Sequence, residues 1–427
     1  MNAAAGAIPV PQSPLAYPDF RLFWIARFSA VLATMALVVI IAWQVYDVAR
    51  TDYGMSPKEA AFQLGLLGLV QFVPLLLLTP VAGWAADRFE RRTVARIANM
   101  LDMLVALALG YCTVRGILTL PLLFTLAALH GVARGFVGPS MSAIAPNIVP
   151  SSVLPRAIAM SSIAWQSASV IGPAVAGFMY ASSPSSPYWA AAALLVLASV
   201  AVSFIKPVYP PPIKGDAHPI RQMVDGLRYT WNERFLLGTI TLDLFAVLLA
   251  GATALLPVYA RDILNVGPEG LGQLRAAPAL GAAVMALWFS FRPLRNNVGV
   301  KMLWAVVLFG LATIVFGISK NYALSIGALV TLGAADMLSV YIRSSLVQLN
   351  TPDDMRGRVS SVSGLAISAS NELGEMQSGV AAALLGPVGA VVFGGVGAIL
   401  VTAIWARLFP ELRNARTFEP HYKDARP

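Results

Sequence analysis

Long apolar runs constrain this chain more than any other feature. The stretch AVLATMALVVIIAW (30–43) and the chain from Leu64 to Ala86 hold few groups that water would retain. A helix of about 20 apolar residues, rising about 1.5 Å per residue, crosses the hydrocarbon of a bilayer. Twelve such stretches follow one another, centred near residues 34, 73, 104, 130, 168, 196, 247, 280, 310, 336, 371 and 397. Charged residues make up 12% of the chain and hydrophobic ones 57%, whereas a soluble domain carries about a quarter charged. The reading is an all-α integral membrane protein of twelve transmembrane helices, whose short loops leave little room for a soluble domain.

The longest break in the apolar pattern runs from Lys206 to Phe235 and divides the spans six and six. Within it, Ile220, Val224, Leu227 and Trp231 recur at helical spacing, which predicts an amphipathic helix on the inner membrane surface. The expected organisation is a tail (1–20), a six-helix bundle (21–206), a linker (207–233), a second six-helix bundle (234–409) and a second tail (410–427). The halves echo each other. Pro150, Val153 and Arg156 recur as Pro352, Met355 and Arg358, 202 positions later and also ahead of a helix. Two pseudo-symmetric halves with a binding site between them are a common construction for secondary transporters.

Charge then fixes orientation. With the N-terminus in the cytoplasm, 21 of the 30 Lys and Arg residues fall on the inner side, 5 on the outer side and 4 within spans. This is the positive-inside pattern, with both termini cytoplasmic. The net charge of +9 is thereby a matter of topology and gives no reason to invoke nucleic acid. The start of the chain lacks the charged region of a cleaved signal peptide. Cys112 is the single cysteine, and His130, His218 and His421 lack ligand spacing, so no metal site is expected. No Gly-Lys dipeptide occurs, which excludes a P-loop in this chain, and no triad of catalytic residues is apparent.

Nine charged residues fall inside the spans: Arg27, Arg134, Arg275 and Arg343 against Asp102, Asp243, Asp336, Glu372 and Glu375. A charge at the bilayer centre costs roughly 2.5–3.5 kcal/mol on insertion scales, so such residues face a cavity or a partner. Depth along each helix places Asp102, Asp336 and Glu372 near the midplane. Ser361, Gly364, Ser368, Asn371, Glu372, Glu375, Ser378 and Gly379 form one polar and small stripe on the eleventh span, with Val362, Ala366, Leu373 and Val380 opposite. A carboxylate in an apolar setting favours its protonated form, and a nearby arginine favours the charged form. An acid whose arginine moves away during the cycle would take up a proton. Glu372 and Asp336 are the first candidates, followed by Glu375 and Asp243, with Arg343, Arg134, Arg27 and Arg275 as counter-charges.

Between the second and third spans the chain reads Gly83-Trp-Ala-Ala-Asp87-Arg88-Phe-Glu-Arg91-Arg92. This resembles the signature loop of the major facilitator superfamily, with Glu90 where that pattern has glycine. The resemblance implies two six-helix bundles around a central cavity, working by alternating access. It also implies that Gly83, Asp87, Arg88, Arg91 and Arg92 gate the cytoplasmic side against the helix that begins near Arg358. Arg134 with Gly135 and Gly138 is similar to the family's membrane arginine motif. Gly172, Pro173 and Gly177 are similar to its antiporter motif. The strings AWQVYDVART (42–51), GAADMLSVYIRSSLVQ (333–348) and SASNELGEMQSG (368–379) look most like the branch of enterobactin-type siderophore exporters and macrolide-type efflux pumps. That branch implies a monomer in a bacterial-type inner membrane, exporting amphipathic small molecules against protons, driven by the proton gradient and no cofactor. Trp43, Gln44, Tyr46, Trp165, Gln166, Phe245, Tyr259 and Tyr341 would then meet the substrate. The rivals are a symporter or facilitator, a lysophospholipid flippase, and a non-transporting receptor or scaffold.

Overall fold

The computed structural model describes residues 13–209, 219–292, 294, 296–352 and 355–418, and only the backbone of 80, 86, 87 and 219–222. Expectations for the Asp87 carboxylate, the Ile220 side chain, Arg295, His218, His421 and the outer parts of both tails lie outside the described residues. No strand occurs among the described residues. The first group of helices is α1 (Pro18–Thr51), α2 (Pro57–Arg88), α3 (Arg91–Arg115), α4 (Leu120–Ile144), α5 (Leu154–Ser182) and α6 (Ser186–Phe204). A short α7 (Pro219–Asn232) precedes α8 (Arg234–Leu249), the three-residue α9 (Leu256–Val258), α10 (Gly267–Phe291), α11 (Val298–Ile318), α12 (Tyr322–Leu349), α13 (Arg356–Leu408) and α14 (Pro410–Asn414).

Local chemistry sets several of the ends. Ser56 accepts from the Glu59 backbone while Glu59 reaches back to the Ser56 amide, a capping box that starts α2 behind Pro57. Gly116, at φ +63°, closes α3 in the left-handed conformation that glycine adopts without penalty. The 53 residues of α13 are two arms joined at Gly386, whose φ of +78° and ψ of 162° are not helical. Gly374 before this break and Gly394 after it both approach residues 247–250 at the end of α8, so the chain reverses there. Beyond α8 the backbone passes through a 3₁₀ turn (Ala252–Leu255) and α9 into a π-helical turn (Tyr259–Ile263).

Ten stretches among the described residues are long and apolar enough to cross a membrane. One is α13, with both arms, and another runs from α8 to Ile263. Missing from these ten is α5, at 29 residues, because Ser, Gln, Gly and Pro interrupt its apolar run. In the first group, α1 packs on α5 and α6, α3 on α4 and α6, and α2 on α4; in the second, α10 and α11 pack on α12, and α8 and α11 on α13. Two seams join the groups, α2 against α13 and α5 against α10. Small residues allow the backbones to meet there, since a Cβ on Gly65 would stand 2.8 Å from the Gly379 Cα. The amphipathic α7 lies against α13 and α8, with Val224, Leu227 and Trp231 exposed.

Candidate functional site

A cavity of about 530 Å³ lies between the two groups of helices. Val38, Val39 and Ala42 of α1, Leu64 and Leu67 of α2, and Phe309 of α11 give it apolar walls. Into it project Gln71 of α2, Arg134 of α4, Trp165 and Gln166 of α5, Asp243 of α8, Arg275 of α10, Asp336 and Arg343 of α12, and Asn371, Glu372 and Glu375 of α13. Seven of the nine intramembrane charges therefore share one space, as the cost of placing them in lipid requires.

Their pairing is uneven. The Arg343 guanidinium contacts the Asp243 carboxylate, with both residues buried, inside the second group of helices. Arg134 crosses between the groups: one Nη lies 3.2 Å from the Gln71 side-chain oxygen and the other 3.5 Å from Glu372 Oε1. Arg275 donates to the Thr253 carbonyl at 3.3 Å. No salt-bridge partner for Asp336 or Glu375 occurs among the described residues. Glu375 lies along α2, where a Cβ on Gly68 would stand 2.7 Å from its own Cβ. The cavity thus holds two acids in salt bridges, Asp243 and Glu372, and two, Asp336 and Glu375, with none among the described residues.

The other two charges go elsewhere. Asp102 of α3 is bonded to His130 Nδ1 of α4 at 2.6 Å, both buried within the first group and away from the cavity. The two residues stand 28 positions apart on different helices, so no local spacing in the sequence marks the pair. Arg27 is absent from the cavity wall, and its Nε is buried without a hydrogen-bond partner among the described residues.

One end of the cavity is shut by polar and charged residues of α1 and the π-helical turn. Tyr46 Oη of α1 donates to Asp262 on the π-helical turn, Arg50 Nε reaches the same carboxylate oxygen at 3.2 Å, and Arg261 contacts Asp47. A second Arg50 nitrogen donates to the Met55 carbonyl at 2.6 Å. The close approaches of both seams lie toward this end: Gly65 with Gly379, and Gly177 with Gly272 and Pro268. Gly172 packs on α1 while Pro173 and Gly177 pack on α10, so the antiporter-like motif is the joint between the groups. Toward the other end the helices are parted, and a Cβ on Gly83, Gly357 or Gly364 would have no neighbour within 4 Å.

At that parted end the signature loop is fastened to its own group of helices. Arg91 donates to the Ala143 carbonyl at 2.9 Å, and Arg92 holds Glu90 and the Ile205 carbonyl. Burial opposes the charge of Glu90, but hydrogen bonds from Arg92 and Thr93 outweigh it and hold the carboxyl below its usual range. Arg88 stacks on Trp84. Arg358 leans toward Asp225 of α7, 3.7 Å away, rather than toward this loop.

Of the eight residues expected to meet substrate, Trp165 and Gln166 line the cavity and six do not. Trp43 packs edge-on against Tyr180, and Gln44 bonds with Tyr188 and Thr113 inside the first group. Tyr46 belongs to the closed end; Tyr259 donates to the Gly317 carbonyl at 2.7 Å and packs at a tilt against Phe316. Phe245 packs on Trp405, and Tyr341 stacks on Phe289. Residue type marks five of the six as membrane aromatics, but their helical phase turns them into packing faces. Apart from Phe309 and Trp165, the apolar walls are aliphatic, from positions with no chemical signature.

Known proteins resemble this chain in sequence and in fold. The chain is 24% identical over 408 residues to the enterobactin exporter EntS of Escherichia coli O1:K1, and 26% identical over 410 residues to the EntS of Citrobacter koseri, with 95% of each chain covered in both cases. Among solved structures, a peptide transporter of the POT family in complex with sulfate superposes with a TM-score of 0.73 at 14% identity, covering 96% of this chain and 98% of that one. An inward-facing, occupied bacterial homolog of the human lysosomal transporter Spinster superposes at 0.71 and 14% identity, over 93% and 98%. The family model of the Major Facilitator Superfamily matches residues 23–375, and the chain belongs to that family, as a multi-pass membrane transporter and not an enzyme.

Proposed function

We propose that this chain is a proton-coupled antiporter that exports amphipathic small molecules, siderophore-like or drug-like, from the cytoplasm. The observation that carries the reading is the cavity's charge inventory. An arginine–glutamate pair bridges the two groups of helices beside two acids, Asp336 and Glu375, that have no salt-bridge partner among the described residues. In the cycle proposed, the halves rock, Arg134 and Glu372 separate, and Glu372 takes a proton from the outer side as substrate leaves; re-pairing with Arg134 expels the proton inward. Asp336 and Glu375 are the further proton sites. Trp165, Gln166 and the aliphatic wall accept the apolar part of the substrate, while Gln71 and Asn371 meet its polar groups.

In this reading twelve spans run through α1–α6, the α8–Ile263 unit, α10–α12 and the two arms of α13. Both termini are cytoplasmic, the signature-loop end is cytoplasmic, and the chain works as a monomer without cofactor. The relatives named as enterobactin exporters support export and a siderophore-like cargo. A second reading, a lysophospholipid flippase, is favoured by the parted ends of the seams, beside which Leu77 and Val81 of α2 are exposed. The test is an efflux assay in proteoliposomes with an imposed proton gradient and a panel of siderophores, hydrophobic drugs and labelled lysophospholipid, with and without an uncoupler. Gradient-dependent movement of a siderophore or drug is expected. Transport indifferent to the uncoupler would remove the antiport assignment, and movement of the lysophospholipid alone would replace the cargo.

A further inference from the structure

Two corners of the molecule outside the cavity carry the same arrangement. At the end of α2 the Arg88 guanidinium lies over the Trp84 ring, 5.6 Å from its centre, and Phe89 meets that indole edge-on at 5.4 Å. At the end of α10 the Arg292 guanidinium lies over the Trp288 ring at 5.2 Å, next to Phe291. The two pairs stand 204 positions apart, and in each the arginine follows the tryptophan by four residues, one helical turn. These groups are open to their surroundings: Trp84 is 43% exposed, Trp288 56% and Phe291 83%.

A third stack shows what a self-sufficient one looks like. Arg234 lies over Phe409 at 5.8 Å, but its Nε also reaches Glu411 at 3.2 Å and an Nη donates to the Leu408 carbonyl at 2.9 Å. Neither Arg88 nor Arg292 has a carboxylate at salt-bridge distance among the described residues. A guanidinium stacked on indole by one face keeps its edge, with its fork of N–H donors, free for an anion. Tryptophan near the end of a membrane helix settles at the headgroup level, apolar body toward the acyl chains. The fork is thereby presented at the depth of lipid phosphates, which accept two parallel bonds from arginine.

We infer that the ends of α2 and α10 are twin lipid sites, each holding the phosphate of an anionic phospholipid against the arginine edge with its glycerol and upper acyl chains along the indole. The inference needs the chain in a membrane but does not rest on the cargo or on proton coupling. Each site also stands at a seam. From Gly65 to Trp84, and from Gly272 to Trp288, the helix advances about 24–28 Å, so both sites lie far from the close approaches, at the parted ends. A headgroup held there favours the state in which those ends stay apart.

Native mass spectrometry of the purified chain, titrated with phosphatidylglycerol or with phosphatidylcholine, tests this. Two phosphatidylglycerol molecules should be retained, each at least about tenfold more tightly than phosphatidylcholine. Arg292→Ala and Trp288→Leu should each lose one of the two, and Arg88→Ala with Arg292→Ala should lose both. Should the double variant fail to fold, the two single changes at the α10 site decide the matter, because Trp288→Leu removes no charge and leaves the signature loop intact. Wild-type retention in the α10-site variants, or no preference for phosphatidylglycerol, would overturn the inference. So would displacement of the lipid by glycerol 3-phosphate at equal concentration, which would identify a soluble phosphate as the ligand.

Discussion

Glu372 takes its meaning from one distance. Its carboxylate oxygen lies 3.5 Å from an Arg134 nitrogen, longer than a firm charge-assisted hydrogen bond and short enough to hold the ion pair. Glu372→Gln leaves an amide that can still accept from Arg134 but cannot exchange a proton. Gradient-driven efflux should fall at least about tenfold, the rate equivalent of ~1.4 kcal/mol, while counterflow of substrate at equal pH persists. Loss of both activities together would make Glu372 a structural residue. Glu90 offers a smaller prediction. Its folded pKa is depressed, so its contribution is present at neutral pH and down to the free carboxylate value of about 4.3, and fades as pH falls through the depressed value. Glu90→Gln should cost about 0.5 kcal/mol at neutral pH and nothing at acid pH, read from thermal unfolding in detergent. The acid stripe was legible because charge in an apolar run is conspicuous. The five aromatics that pack away from the cavity were not, since an aromatic is equally welcome in a wall, a packing face and an interface.

Among the elements, the π-helical turn Tyr259–Ile263 has the largest consequence. It follows α9 at the end of the segment that starts with α8 and brings Arg261 and Asp262 to α1, where Asp47, Arg50 and Tyr46 receive them. These groups are partly exposed, Arg50 by 26% and Asp262 by 21% of their side chains, so the connection is strong enough to bias a state and weak enough to open. Asp262→Asn should weaken this closure by about 1–2 kcal/mol, a factor of 5–30 in the ratio of states. Distance distributions between spin labels across the closed end should gain a long component. An unchanged distribution would show that the glycine seams alone hold this end. Arg50 and Arg261 were visible in the sequence as bases near helix ends, but the acids they pair with lie more than 200 positions away. Local patterning does not connect them.

At the scale of the whole molecule, closure at one end and parting at the other define a single accessible side. With Cys112 replaced by serine and Trp165 by cysteine, a membrane-impermeant thiol reagent should label residue 165 from the face that carries residues 83–92 and not from the face of the Asp262 cluster. Adding Asp262→Asn should admit labelling from that second face. Equal labelling from both faces without it would contradict the closed end. The two-group arrangement was foreseeable from the division of apolar runs at 206–235 and from the repeat at 150–156 and 352–358. The fold of α13 back on itself was foreseen as two spans, though not that the single non-helical Gly386 would join them.

Sequence alone determined that this chain lives in a membrane, that its apolar runs divide at residues 206–235 and which acids are out of place, because each of these is a solvation cost set residue by residue. The tertiary structure decided which charges meet: Asp243 with Arg343, Arg134 with Glu372, Asp102 with His130, Asp47 with Arg261 and Asp262 with Arg50. Pairing across helices depends on rotation about each axis and on how closely backbones approach, and small residues on distant segments set both.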